Sequence, residues 1–409
     1  MLNAVGIDVS KGKSTITILQ PGGVIIRKPF NVEHSRKGLH DLSELIRSLP
    51  GESRAVMECT GRYHEPILLT LHEAGIFTCA VNPHLIKDFG NNSLRKVKSD
   101  PADSKKIAKY ALDNWEDLRK YSPMDTIRNQ LKTLNTQKTF LTGLMVSAKT
   151  NLISMSDMTF PGVNELFSSP TRPDGSEKWV DFLASFWHVD CVRKIGLRAF
   201  TTRYQAFCKR HGYNFSEQKA QEIFAFSREL VPTVPKDLVY KELVMSSIDQ
   251  FRSTSTNVEK IRQKMNELAS SLPEYQTVLS MKGVGKTLGP QLIAEIGDIT
   301  RYTHREALTA FAGVDPGVDD SGKRISKSNR ATKIGSAKLR KTLFLIMSCL
   351  LQTKPEGDPV YDFLDKKRSE GKPYLVYMTA GANKFLRIYY GKVKECIRNL
   401  EKSEVPTAT

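Results

Sequence analysis

The sequence predicts an α/β domain over residues 1–122, a helical coiled-coil stalk with an inserted module over 123–272, and a mainly α-helical domain over 273–409. Three observations carry this division. Short β-rich runs and helical patterns alternate up to about residue 120. From Ile127 the apolar residues change to steps of three, four and seven, the period of a coiled-coil seam. After Pro273 glycine-rich turns and a basic run interrupt shorter helical patterns.

Taken in order, Ala4–Ile7, Ser14–Leu19 and Val24–Phe30 read as strands, separated by Ser10-Lys11-Gly12 and Pro21-Gly22-Gly23, which makes an antiparallel meander. Ser35 opens a helix through Leu39, Leu42, Leu45 and Ile46 that Pro50-Gly51 stops. A strand at Arg54–Glu58, a helix at Glu65–Ala74 closed by Gly75, a strand at Ile76–Val81 and a helix beginning near Pro101 complete a mixed-sheet domain. Ile127, Leu131, Leu134, Leu141, Met145 and Leu152 form one seam. Val244, Ile248, Phe251, Val258, Ile261, Met265, Leu268 and Leu272 form a second. Together they predict an antiparallel stalk around a compact module at about 160–235 that carries Trp179 and Trp187, with a plain helical bundle as the alternative. A stalk of this length is also a natural oligomerisation surface.

The chain carries 61 Lys and Arg against 44 Asp and Glu, a formal charge of +17, and 40% of its residues are hydrophobic. That apolar content excludes a disordered chain, and the excess of base makes nucleic acid the first partner to test. The longest apolar run, Leu343–Leu351, is far short of the roughly 20 residues of a bilayer span. Asp8 and Lys11 come too early for a signal-peptide hydrophobic region, and the six scattered cysteines form no C-x-x-C pair. The expectation is a cytoplasmic protein without membrane contact.

The base is concentrated. Lys282-Gly283-Val284-Gly285-Lys286 lies between two helical patterns, as in helix-hairpin-helix turns that aim backbone N–H groups at a phosphate. Between Ser321 and Phe344 stand Lys323, Arg324, Lys327, Arg330, Lys333, Lys338, Arg340 and Lys341, with no acid among them. The segment reads as a nucleic-acid backbone contact rather than only a solvated face.

The acids matter more for chemistry. Asp8 ends the first apolar strand and Glu58 ends a later one, where a carboxylate is costly unless paired or bound to metal. Asp100 and Asp103 share the first turn of a helix. Asp100 before Pro101 also reads as a helix cap, and Gly6-Ile7-Asp8 alone also suits the phosphate turn of actin-like kinases. Glu58 decides between them, because two strand-end acids followed by a helical Asp pair is the layout of RNase H-like nucleases. Four such carboxylates suit two Mg²⁺ ions clamping a phosphodiester.

The series Gly-Ile-Asp8-Val-Ser-Lys, Met-Glu58-Cys-Thr-Gly and Ser-Asp100-Pro-Ala-Asp103-Ser, followed by Gly-Val-Gly, Phe311-Ala-Gly-Val-Asp-Pro-Gly317, Ser321-Gly322 and Leu339-Arg340-Lys341, resembles the DEDD transposases of bacterial insertion sequences, relatives of the Piv and MooV invertases. The resemblance implies a RuvC-like N-terminal domain whose acids, here Asp8, Glu58, Asp100 and Asp103, bind Mg²⁺. It also implies a C-terminal transposase domain with a serine nucleophile, here Ser321, with Ser326 as second candidate. The family's Ile-Ser-Lys-x-Gly before the basic helix is Ala331-Thr332-Lys333-Ile334-Gly335 in this chain. Donor and target DNA, a structured non-coding bridge RNA, a homo-oligomer (dimer or tetramer) and action on the bacterial nucleoid are further implications. A hydrolytic junction nuclease, an actin-like ATPase or kinase, and a non-catalytic nucleic-acid-binding protein are the competing functions.

Overall fold

The computed structural model describes residues 1–59, 61–89, 99–317 and 331–404. The chain divides into two compact units, Met1–Met124 and Asp125–Thr409.

The first unit is built on five strands: β1 (Leu2–Ser10), β2 (Lys13–Gln20), β3 (Val24–Glu33), β4 (Glu52–Glu58) and β5 (Phe77–Val81). Their order in the sheet is β3-β2-β1-β4-β5. The first three form the expected antiparallel meander, whereas β4 pairs parallel with β1 and β5 parallel with β4. β3 extends to Glu33 through Pro29, which an edge strand tolerates because one side of its backbone needs no ladder partner. The helices are α1 (Arg36–Arg47), α2 (Glu65–Glu73), α3 (Pro83–Phe89) and α4 (Asp100–Asp113). The Ser35 hydroxyl accepts from Gly38 N at 3.1 Å, the cap that lets α1 start where its serine marks it. α3 has no counterpart in the sequence reading; it is seven residues long and buries only Ile86, too little for a periodic signal. One apolar layer, with Ile7, Ile16, Leu42, Met57 and Leu68, lies on one side of the sheet. A second, with Ala4, Leu19, Val56, Ile107 and Ala111, joins the sheet to α4.

In the second unit the helices are α5 (Thr126–Thr159), α6 (Lys178–Ser185), α7 (Asp190–Arg193), α8 (Leu197–His211), α9 (Glu217–Glu229), α10 (Leu238–Ser270), α11 (Tyr275–Leu279), α12 (Leu288–Ile296), α13 (Arg305–Ala312), α14 (Ala337–Thr353), α15 (Pro359–Ser369) and α16 (Tyr374–Glu404). The long helices α5 and α10 pack along each other in opposite directions. Leu131 and Met265 share one core, while Asn151 Nδ2 reaches Ser247 Oγ at 3.4 Å near the other end. Of the apolar seams, Leu131, Leu152, Val244, Ile248, Phe251, Val258, Met265 and Leu272 are buried.

Helices α6 to α9 form the module between the two long helices, around Trp179, Phe182, Phe186, Trp187, Phe200, Tyr204 and Phe207. The rings of Phe182 and Phe186 lie 4.8 Å apart. Asp181, almost fully buried, accepts from Arg252 Nη2 of α10 at 2.6 Å and from Tyr213 OH at 2.7 Å, which ties the module to α10. A separate core gathers α11 to α16 with the first half of α5 and the second half of α10, including Leu292, Leu343, Met347, Phe385 and Tyr389. No helix among the described residues is long and apolar enough to cross a membrane.

Candidate active site

Asp8 and Glu58 stand side by side because β1 and β4 run parallel in register. Ile7 pairs with Met57, and each acid is the next residue of its strand. Ile7, Val9 and Met57 beside them are buried, while the two carboxylates are half-exposed at the same end of the sheet. Asp100 and Asp103 arrive on the first turn of α4. The N-cap of that helix is Ser99, and no side chain caps it, so Asp100 does not hold the capping position that Pro101 suggested.

Two contacts bring α4 onto the strands at this end. Gly6 lies under the helix so closely that a β-carbon there would come within 2.7 Å of Ala108 Cβ and closer still to the Ser104 carbonyl oxygen. The Ser104 hydroxyl, next to Asp103, meets Thr17 Oγ1 of β2 at 2.7 Å in a fully buried bond. Neither contact was legible in the sequence, although a glycine two residues before a strand-end acid was the available signal.

The electrostatics record the convergence. Burial pushes the Asp8 carboxyl up to about 6, and Asp100, Asp103 and Glu58 add to the rise in that order. Glu58 is also raised, first by burial and then by Asp103, with Lys106 partly opposing. These are hard oxygen donors whose mutual repulsion Lys106 offsets only in part, and they suit a divalent cation by donor type and by charge. As the side chains stand, no three His, Cys, Asp or Glu residues among those described are arranged to hold a metal ion.

The other predicted residues lie in the second unit. Ser321 and Ser326, with Lys323, Arg324, Lys327 and Arg330, fall outside the described residues. The chain on either side of them is closely tied. Pro316 bridges to Ala331, Thr332 N donates to Asp315 O at 3.1 Å, and Lys333 N donates to Gly313 O at 3.2 Å. The Thr332 hydroxyl is itself engaged, donating to Asp315 Oδ1 at 2.7 Å. Gly335 is packed against Gly313 so tightly that a β-carbon would fall 2.7 Å from Gly313 N. Arg340 braces the same junction, its Nη1 donating at 2.9 Å to the carbonyls of both Ala312 and Gly335. Ser336 caps α14 and lies 3.3 Å from the buried Glu295, which also accepts from Asn135 at 2.7 Å.

Lys333, Lys338 and Lys341 are exposed, with Lys338 Nζ donating to Thr136 Oγ1 at 2.7 Å. Lys282 and Lys286 are exposed on the turn between α11 and α12, where Gly283 packs on Leu350 of α14 and Gly285 O accepts from Gly289 N at 2.9 Å.

Comparisons with known proteins cover both ends of the chain. A family model described as a transposase, of the DEDD type, matches residues 5–161. A model described as the transposase IS116/IS110/IS902 family matches residues 275–362. The 44.8 kDa protein of insertion element IS116 from Streptomyces clavuligerus is 21% identical over 90% of this chain and 88% of its own length. The 43.6 kDa protein of insertion element IS110 from Streptomyces coelicolor is 20% identical over 73% of this chain and 71% of its own. A pilin gene-inverting protein of Moraxella lacunata is 25% identical over 36% of this chain and 46% of its own. With the mixed five-stranded sheet, its clustered acids and matches at both ends, the chain is similar to the IS116/IS110/IS902 family of transposases and is an enzyme of the DNA transposase and recombinase class.

Proposed function

We propose that the protein cuts and rejoins DNA strands of an insertion sequence through a covalent phosphoserine intermediate on Ser321. The observation that supports this reading is the convergence of Asp8, Glu58, Asp100 and Asp103, with the Asp8 carboxyl held up to about 6 by burial and by the other three. Such a cluster works against the fold unless charge is brought to it. Mg²⁺ held by these four acids would supply the charge that offsets a phosphodiester in its transition state. The chain's own part is to hold the carboxylates on β1, β4 and α4 through the Gly6 contact and the Ser104–Thr17 bond.

In the proposed reaction Ser321 Oγ forms a bond to phosphorus, one deoxyribose oxygen leaves as a hydroxyl, and the serine proton passes to that leaving oxygen. Attack by a hydroxyl of another strand reverses the step and restores the serine. Exposed Lys282, Lys286, Lys333 and Lys341 support backbone contact, and the turn at Gly283 and Gly285 supports approach of a phosphate. Ser321 itself rests on the family resemblance. So does a structured bridge RNA pairing with donor and target DNA, to which the basic excess is equally suited. The antiparallel α5 and α10, which the reading takes as a coiled-coil stalk, expose Phe140, Leu144 and Val146, and this supports a homo-oligomer, dimer or tetramer. Action would be cytoplasmic, on nucleoid DNA.

Trapping of a protein–DNA adduct tests the serine step. The adduct is expected with Mg²⁺, absent in Ser321→Ala and retained in Ser326→Ala. Strand cleavage without any adduct would replace this reading with the hydrolytic junction nuclease.

A further inference from the structure

The module formed by α6 to α9 takes no part in the reading above, and its charge is unevenly divided. Helix α8, Leu197–His211, contains Arg198, Arg203, Lys209, Arg210 and His211 and no acid. Its neighbour α9 carries Glu217, Glu222 and Glu229 beside Lys219 and Arg228. The module's buried acids are already partnered: Asp181 by Arg252 of α10 and by Tyr213, and Asp190 by Arg193 and Lys194. Arg198, Arg203, Lys209 and Arg210 are all exposed, and none of the four pairs with a carboxylate among the described residues.

Local stability explains only half of this. Lys209 and Arg210 in the last turn favour the helix dipole. Arg198 sits in the first turn, where a cation opposes the dipole, with no acid there to offset it. Arg203 lies mid-helix, beyond the reach of either end.

Their spacing is more informative than their number. At about 3.6 residues per turn, Arg198 and Lys209 lie in one row three turns apart, and Arg203 and Arg210 lie in a second row two turns apart. Phe200, Tyr204, Phe207 and Cys208 occupy the opposite, buried arc. Between the basic rows the exposed surface is made of small side chains, Ala199, Thr202 and Ala206. Such a face is narrow in the middle and cationic on both flanks. A helix with its side chains is about 10–12 Å across, close to the roughly 12 Å width of the B-DNA major groove. With α8 in that groove, each basic row would lie toward the phosphates of one strand. The deep, narrow major groove of A-form RNA does not admit a helix.

We propose that the outer face of α8 is a duplex-DNA docking surface, seated in the major groove and held by phosphate contacts from Arg198, Arg203, Lys209 and Arg210. This rests on the reading of the protein as one that acts on DNA, and adds a contact remote in sequence from both the four acids and Ser321.

The test uses the full chain and duplex DNA of arbitrary sequence, with duplex RNA of equal length as the second arm. Affinity is followed against salt for the wild type, for the combined Arg198→Gln, Arg203→Gln, Lys209→Gln, Arg210→Gln variant, and for Ala206→Glu, which sets a carboxylate between the rows. All changes are on exposed positions, and an unchanged far-UV circular dichroism spectrum establishes that α8 remains folded. Each phosphate contact contributes about 0.9 to the slope of log affinity against log salt, so losing four makes the slope shallower by up to about 3.6. Between about 50 and 200 mM salt the wild type should then lose roughly a hundredfold more DNA affinity than the quadruple variant. Ala206→Glu should weaken DNA binding, and duplex RNA binding should be unaffected by either change. The proposal is overturned if the variants bind DNA with the wild-type slope, if the loss appears on duplex RNA instead, or if only the oligomeric mass changes. A wild-type chain that fails to bind duplex DNA would overturn the DNA reading as well, which separates the two failures.

Discussion

Replacing Gly6 with alanine changes no charge and no proposed ligand, yet it should disable the acid cluster. A β-carbon at residue 6 would lie 2.7 Å from Ala108 Cβ, against ordinary contact beginning at 3.4 Å, and it would press harder still on the Ser104 carbonyl. The obstructing atoms include helix backbone, so rotamer changes cannot relieve the overlap; α4 must lift by something on the order of 1 Å. Overpacking of this kind costs about 1–3 kcal/mol of stability. Asp100 and Asp103 ride on the first turn of α4 and would move with it, whereas Asp8 and Glu58 stay with the sheet. Metal ligands tolerate about 0.2 Å, and a 1 Å misplacement of reacting groups costs about a hundredfold in rate. Gly6→Ala should therefore fold, unfold a few degrees earlier, and lose at least about a hundredfold in Mg²⁺-dependent strand cleavage while keeping most DNA affinity. The assay is single-turnover cleavage at saturating protein beside a binding titration. Cleavage within a few-fold of wild type would refute the claim that the approach of α4 to β1 sets the site.

Two further outcomes follow from the electrostatics. The Asp8 carboxyl is raised from 3.8 to about 6, so the proton binds the folded state more tightly than the unfolded one. Stability is full below the lower value and declines as pH rises through about 6. The shift caps the effect at about 3 kcal/mol, and because half of the group faces solvent, about 1 kcal/mol is expected. Asp8→Asn without Mg²⁺ should thus protect β1 amides better than wild type at pH 8 and by a smaller margin at pH 5 in hydrogen exchange; equal margins at both values would contradict the assignment. Glu274, nearly buried, pairs with Arg128, whose remaining carboxylate partner is Asp125 at 2.7 Å. Glu274→Ala leaves a largely buried guanidinium half-paired and should cost about 3 kcal/mol, read as a fall in melting temperature of roughly 6–12 °C that persists at high salt. A shift under about 2 °C would show that the pair is replaceable by solvent.

Much of the architecture was legible because it is locally encoded. Alternating apolar residues and glycine turns marked the meander, Ser35 and Pro50-Gly51 bounded α1, and seam residues such as Leu131, Phe251 and Met265 are buried, Phe251 in the core of the module and the other two in the core with α11 to α16. α3 escaped because a seven-residue helix with one buried side chain carries no period. Asp100 looked like a cap because Pro follows it, but the helix begins one residue earlier than that pattern implies, at the Ser99 N-cap. Arg340 counted among the basic contacts by composition, while its Nη1 is committed to the carbonyls of Ala312 and Gly335.

The sequence by itself determined which residues could form strands and helices, where the carboxylates stood on them, and that the chain carries a large excess of base, because periodicity, caps and charge are local properties. Only the tertiary structure decided that residues some ninety positions apart would meet. That depended on a parallel register between β1 and β4 and on a missing side chain at Gly6, where α4 settles against the sheet. It also decided which bases face solvent, since a guanidinium and a neighbouring carbonyl are indistinguishable from a guanidinium and a phosphate until the chain has folded around them.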